Sequence, residues 1–170
     1  AHIREVDAIA HVVRCFEDEN ITHVSSSINP IDDIDTIMTE LKLADLETLE
    51  NKLHSLEKKA KNGDKEIKSQ IELISTLQNN LNNDMSIKNL ELSNEEINFY
   101  KSLNLILTKP MLYICNVDEN SILEGNKFSE LVKEKAKLEK NNIVIISASI
   151  ESQIAEFENE EEKLELLKDL

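Results

Sequence analysis

The chain has 170 residues and 40% hydrophobic content, enough for the core of one domain or of one domain carrying an insertion. Its 19 basic against 34 acidic residues leave a formal charge of −15, which argues against a nonspecific nucleic-acid clamp, because phosphate contacts need clustered cations. Two cysteines, Cys15 and Cys115, are neither a secreted disulfide scaffold nor a metal pair, and no apolar run reaches the roughly 18 to 20 residues of a membrane span. The start Ala1-His2-Ile3-Arg4-Glu5 is not a signal peptide, so a cytoplasmic protein with no membrane partner and reduced core thiols is expected.

Taken in chain order, Ala8-Ile9-Ala10-His11-Val12-Val13-Arg14-Cys15-Phe16 is a β-branched apolar run of the kind that forms buried parallel strands. A polar loop through Ser25-Ser26-Ser27 follows. Asn29 then suits an N-cap, Pro30 the first helical position, and Asp32, Asp33 and Asp35 the positive end of a helix dipole. Ile34, Ile37, Leu41 and Ala44 recur at spacings of three and four. After a small phase shift, Leu46, Leu49, Leu53, Leu56 and Ala60 continue the stripe up to a break at Asn62-Gly63-Asp64. A second helix over residues 65–81 carries Ile67, Ile71, Ile74, Leu77 and Leu81 on one side. Neither helix buries its stripe alone, so the pair predicts an antiparallel, coiled-coil-like hairpin.

The segment from Asn79 to Asp84 is Asn-rich and turn-like, and Ser93-Asn94-Glu95-Glu96 has capping-box spacing ahead of Ile97, Tyr100 and Leu103. A strand is predicted over residues 111–115, and a helix over 126–140 with Phe128, Leu131, Val132 and Leu138 inward. A strand over 143–146 and helical segments over 151–157 and 160–170 complete the chain. Strands thus alternate with helices at both ends, while the middle is almost wholly helical. The expectation is an α/β fold whose parallel sheet is interrupted by a helical insertion. Residues 1–28 and 107–158 are expected to form the α/β domain, 29–106 the helical coiled-coil insertion and 159–170 a helical connector.

Chemistry concentrates where the later strands end. Pro110-Met111-Leu112-Tyr113-Ile114-Cys115 runs into Asn116-Val117-Asp118-Glu119, and the next strand ends at Ser147-Ala148. P-loop GTPases end the corresponding strand in Asn-Lys-x-Asp, whose Asn braces the loop and whose Asp accepts from the guanine edge, and a later Ser-Ala supplies backbone N–H groups. Here Val117 stands at the Lys position and Glu119 at the Asp position. An acid one methylene longer displaces its oxygens from the guanine donors, which weakens guanine specificity and admits adenine. The plainer role for this segment is a polar exit from a buried strand. His2, His11, His23 and His54 lack paired ligand spacing, and no Cys-x-x-Cys or Gly-x-Ser-x-Gly is present, which counts against a metal or nucleophilic enzyme.

With these segments in order, the chain resembles the Obg-like ATPase (YchF) family of ribosome-binding ATPases, relatives of the Obg P-loop GTPases with a G-domain-like nucleotide domain interrupted by a helical hairpin. The likeness covers essentially all 170 residues. It is carried by residues 3–16, by Asn29-Pro30-Ile31-Asp32-Asp33-Ile34-Asp35, by Gly63-Asp64-Lys65, by Lys109-Pro110, by Asn116-Val117-Asp118-Glu119 and by Ser147-Ala148-Ser149-Ile150-Glu151.

The resemblance implies a cytoplasmic hydrolase that prefers ATP to GTP, needs Mg²⁺ and associates with ribosomes, its nucleotide site on a monomer. It also implies that Asn116 braces the base loop, Val117 flanks the adenine and Glu119 stands at the base-reading position. Phe16 would pack on the base from the other side, and Ser147 and Ala148 would close the pocket with backbone N–H groups. Phe16 as a core aromatic and Ser147 as a helix cap remain the alternatives.

Gly63 and Gly125 are the only glycines, so neither a Gly-x-x-x-x-Gly-Lys-Ser/Thr loop nor an Asp-x-x-Gly loop is present. The chain is therefore expected to be an internal, catalytically inactive piece of such an enzyme, without its phosphate loop or Mg²⁺ ligands. Its first strand would have an uncovered edge and its stability would be reduced. A reading from a different class makes the helical hairpin a protein-interaction module on an α/β platform with no nucleotide function of its own.

Overall fold

The computed structural model describes residues 2–17, 28–60 and 64–156. The predicted Ser25-Ser26-Ser27 loop, the Asn62-Gly63 break, Phe157 and the 160–170 helix lie outside the described residues. By its internal contacts the chain divides into two compact units, residues 1–9 with 35–110 and residues 10–34 with 111–170.

The second of these holds the sheet. Strand β1 (Ile9–Arg14), strand β2 (Met111–Asn116) and strand β3 (Asn142–Ile146) lie in the order β1-β2-β3, with β2 in the middle. β2 and β3 are parallel, with Leu112 opposite Asn142 and Asn116 opposite Ile146. At the far end of β1, the Cys15 N–H donates to Asn116 O at 2.8 Å. Side chains alternate across a strand, and the buried positions of β2 do so: Met111, Tyr113, Cys115 and, just past its end, Val117. Tyr113 is fully buried, and its hydroxyl donates to a Glu139 carboxylate oxygen at 2.6 Å.

The crossover from β2 to β3 runs through helix α4 (Lys127–Glu139), packed on both strands. Asn126 caps it, its Oδ1 accepting from the N–H groups of Phe128 and Ser129 at 3.0 Å each, while Ser129 Oγ accepts from the Asn126 N–H at 2.8 Å. Gly125, just before the cap, has φ +76, and a Cβ there would meet Ser129 Oγ at 2.6 Å. Only glycine avoids both the strain and the clash. The inward face of α4 differs from the predicted one. Val132 is buried as expected, but its buried neighbours are Ser129 and Ala136, whereas Leu131 and Leu138 are exposed, Leu138 at 85%. Residues at spacings of three and four share a helix face, and here the face of smaller residues is the buried one.

The other unit is helical. Helix α1 (Pro30–Lys59) starts in the sheet unit and contributes to this one from Asp35 onward. It is joined by helix α2 (Lys65–Asn82), helix α3 (Asn94–Ser102) and a 3-10 turn at Ile106–Thr108. Asp64 caps α2 by accepting from the Glu66 N–H at 2.9 Å, and Ser93 and Glu96 form the predicted capping box at α3. Leu49 and Leu56 of α1 share one core with Leu73, Ile74, Leu77 and Leu81 of α2. Burial of each such side chain contributes roughly 1.5–3 kcal/mol.

The predicted stripe of α1 is broken where its phase shifts. Between Ala44 and Leu46, Asp45 is fully buried and takes three donors: Arg4 at 2.9 Å and the backbone N–H groups of Ile106 at 2.9 Å and Leu107 at 2.8 Å. A buried carboxylate persists only when its oxygens are satisfied in this way. Ile37, placed on the stripe by its spacing, is 38% exposed.

Candidate functional site

Asn116 is the last residue of the central strand. Because Asn116 lies opposite Ile146 in the parallel register, Val117 and Ser147 leave the sheet side by side, and the Val117 N–H donates to Ile146 O at 2.8 Å. Helix α5 (Ala148–Glu156) starts one residue later. The first N–H groups of a helix have no partner within it. Asn116 Oδ1 takes one of them, accepting from the Ala148 N–H at 2.8 Å. The amide thereby fastens the exit of β2 to the start of α5. Val117 is buried, and Ser147 is 1% exposed with an Oγ that has no hydrogen-bond partner.

The loop after Val117 is held at several points. Asp118 accepts from Ser121 Oγ at 2.8 Å, and this bond is the chief reason its carboxyl titrates below the ordinary carboxylate range. Glu119 lies in a 3-10 turn, Glu119–Ser121. Its Oε1 accepts from Ser149 Oγ and from Gln153 Nε2, the latter at 3.1 Å, both donors on α5. Asn126 Nδ2 donates to Cys15 O at 2.7 Å, which ties the far end of the loop to the end of β1.

Phe16 follows Cys15 at that same end. It is half-buried, with the Arg14 guanidinium 4.9 Å from its ring centroid, and Arg14 Nε donates to Phe16 O at 3.1 Å. The thiols of Cys15 and Cys115 meet as a buried pair. Their mutual hydrogen bond, and after it burial, pushes the Cys15 thiol up; the same bond favours ionisation of Cys115 while burial opposes it.

Phe16, Asn116, Val117, Glu119, Ser147 and Ala148 thus all lie in the sheet unit, at strand ends and their exits. Direct hydrogen bonds link Asn116 to Ala148, and Val117 to the residue before Ser147. Four further residues complete the arrangement: Asp118 and Ser149, which lie inside the quoted motifs but had no site role read from them, and Asn126 and Gln153, which lie outside them. The spacing of four between Ser149 and Gln153 puts them on one helix face.

A separate cavity of about 390 Å³ belongs to the helical unit, lined by Lys88, Asn89, Tyr100, Lys101, Asn104 and Thr108, and it contains none of the six. Among the described residues no group of three or more His, Cys, Asp or Glu is arranged to hold a metal, and no helix is long and apolar enough to cross a membrane.

The chain is similar to the ribosome-binding ATPase YchF of Haemophilus influenzae, 46% identical over 170 residues that cover 100% of this chain and 46% of that protein. The protein of the same name in Bacillus subtilis is 42% identical over 166 residues, 96% of this chain and 45% of its own length. Among solved structures, that of the Schizosaccharomyces pombe YchF GTPase has a TM-score of 0.82 at 30% identity, covering 99% of this chain and 47% of that one. No family model matches the chain. The chain spans about half the length of the curated relatives it matches. With identity at this level along its whole length and the same fold, the chain belongs to the YchF family.

Proposed function

We propose that the sheet unit binds the base of a purine nucleotide, ATP in preference to GTP, as the base-recognition part of a ribosome-associated P-loop hydrolase. The observation that carries this reading is the Asn116 Oδ1 bond to the Ala148 N–H, which closes the strand end into a rigid rim beside Val117 and Ser147. The orphaned, buried Ser147 Oγ supports it, because a ligand edge at that rim would supply a partner the protein does not. The names of the relatives differ over the nucleotide, ATPase in the bacterial proteins and GTPase in the fission yeast structure, so the preference rests on the residues. Phe16 would stack on one face of the base, Glu119 would lie at the edge, and Val117, whose side chain is buried, would meet the base through its backbone.

Phosphate binding and Mg²⁺ coordination need residues of other kinds than those at this rim. With only two glycines the chain has no phosphate-cradling loop, so the 170 residues alone bind weakly and do not hydrolyse ATP. Residues 1–28 and 107–158 form the base-binding domain in this reading, residues 29–106 an inserted arm and 159–170 a connector. The arm is an antiparallel hairpin of α1 and α2; support comes from Lys42, early in α1, pairing at 2.6 Å with Asp84 just past the end of α2. Its candidate role is to meet the ribosome and report the state of the nucleotide site.

The test is a nitrogen-15 NMR titration of the chain with ATP and separately with GTP. Amide shifts at Phe16, Asn116, Val117 and Ala148 with ATP and much smaller ones with GTP are expected. A well-dispersed spectrum indifferent to both would sink the base-site reading and leave the arm as the functional part. In that case ribosome co-sedimentation would be lost on Leu53→Glu and untouched by Asn116→Ala.

A further inference from the structure

We propose that Ser149 and Gln153 are specificity-determining residues, which select against guanine by holding the Glu119 carboxylate on α5. The inference rests on the base-site reading above and concerns how that site discriminates. Glu119 Oε1 receives two donors, Ser149 Oγ and Gln153 Nε2, from side chains one helical turn apart, so the carboxylate faces the helix. Guanine presents two adjacent donors on its Watson–Crick edge, N1–H and the N2 amino group, and a free carboxylate answers both with its two oxygens. With Oε1 occupied, that bidentate answer is lost.

At the same place adenine presents a bare N1 acceptor and a C2–H, its N6 amino group lying where guanine carries O6. A free carboxylate would face the N1 lone pair with another acceptor, a repulsive contact. Holding Glu119 aside removes the guanine acceptor and spares adenine this repulsion, so one contact shifts the balance in the same direction twice. Both donors are exposed side chains outside the Asn116-Val117-Asp118-Glu119 motif, and neither is needed to close the strand ends, which Asn116 and Ala148 accomplish.

The test measures the ratio of ATP to GTP dissociation constants by nitrogen-15 NMR, using the chain itself, the double variant Ser149→Ala/Gln153→Ala, and that double variant carrying Glu119→Ala. The single variant Gln153→Glu, which repels the Glu119 carboxylate rather than holding it, gives a second release. The double variant and Gln153→Glu should each move the ratio toward GTP by about fivefold or more, the size of one good bidentate base contact. Adding Glu119→Ala to the double variant should remove the gain. A ratio that stays within about twofold of the parent's in a chain still binding ATP, or a gain that survives Glu119→Ala, overturns the proposal while leaving the base site standing. A parent chain whose Asn116, Val117 and Ala148 amides respond to neither nucleotide overturns the base site and the proposal together.

Discussion

Asn116 has structural work to do whether or not a base is bound. Its Oδ1 satisfies the Ala148 N–H, so Asn116→Ala should lower stability by about 1 kcal/mol in urea unfolding, the worth of one hydrogen bond at a helix start. Asp45 is a heavier commitment. Asp45→Ala removes a fully buried carboxylate from Arg4 and from two backbone donors, and should cost roughly 3–5 kcal/mol, the range for breaking a buried pair. Asp45→Asn, which keeps acceptors in place, should cost clearly less. Asp118 makes the loop pH-sensitive. Its folded-state pKa lies below the ordinary 3.8, first because of the Ser121 hydroxyl, so the folded loop favours the ionised form. The stability it contributes is complete above pH 3.8 and is lost as the pH falls through the lowered folded value. The Ser121 and Asn126 amide shifts should therefore titrate together below that pH, and Asp118→Asn should flatten both curves.

At the scale of elements, strands β2 and β3 and helices α2 and α3 have the places their sequence periodicity and caps predict. Each carries a local signal: an apolar run in each strand, the apolar stripe of α2 after the Asn62-Gly63-Asp64 break, and Ser93 with Glu96 at α3. Helix α4 shows where that reasoning stops. Hydrophobicity pointed to Leu131 and Leu138 as inward, but contact with the sheet went to Ser129, Val132 and Ala136. Close approach of a helix to a sheet favours small side chains, a constraint that exists only once the two are packed. The paired prediction is that Leu138→Ser changes stability by no more than about 0.5 kcal/mol. Gly125→Ala, forced into a positive φ against Ser129, should cost about 1–3 kcal/mol. Urea midpoints of the two variants check both, and a costly Leu138→Ser would return that leucine to the core.

For the molecule as a whole, charge sets the terms of binding. A chain at −15 repels an anionic nucleotide, and at low salt that repulsion acts over distances longer than the site itself. Raising the ionic strength from low to physiological should therefore tighten ATP binding, read as a fall in the NMR dissociation constant. Weakening with salt would point instead to a local basic patch gripping the phosphates. The two compact units also assign the roles proposed for the chain to different places, base binding to the sheet and ribosome contact to the helices.

From its residues alone, the chain declared an α/β fold with a helical middle, its family, and the strand-end segments Asn116-Val117-Asp118-Glu119 and Ser147-Ala148. These are local properties, legible because periodicity, caps and short motifs act between neighbours in sequence. Tertiary structure decided what depends on distant residues meeting. Asp45 became a buried hub for Arg4 and for the 106–107 backbone, Cys15 came against Cys115, Asn126 reached Cys15 O, and Glu119 was taken by Ser149 and Gln153 from α5. No periodicity encodes these contacts, because each partner reads locally as an ordinary polar or core residue. Only the register of β2 against β3 and the docking of the helices on their cores bring them within hydrogen-bonding distance.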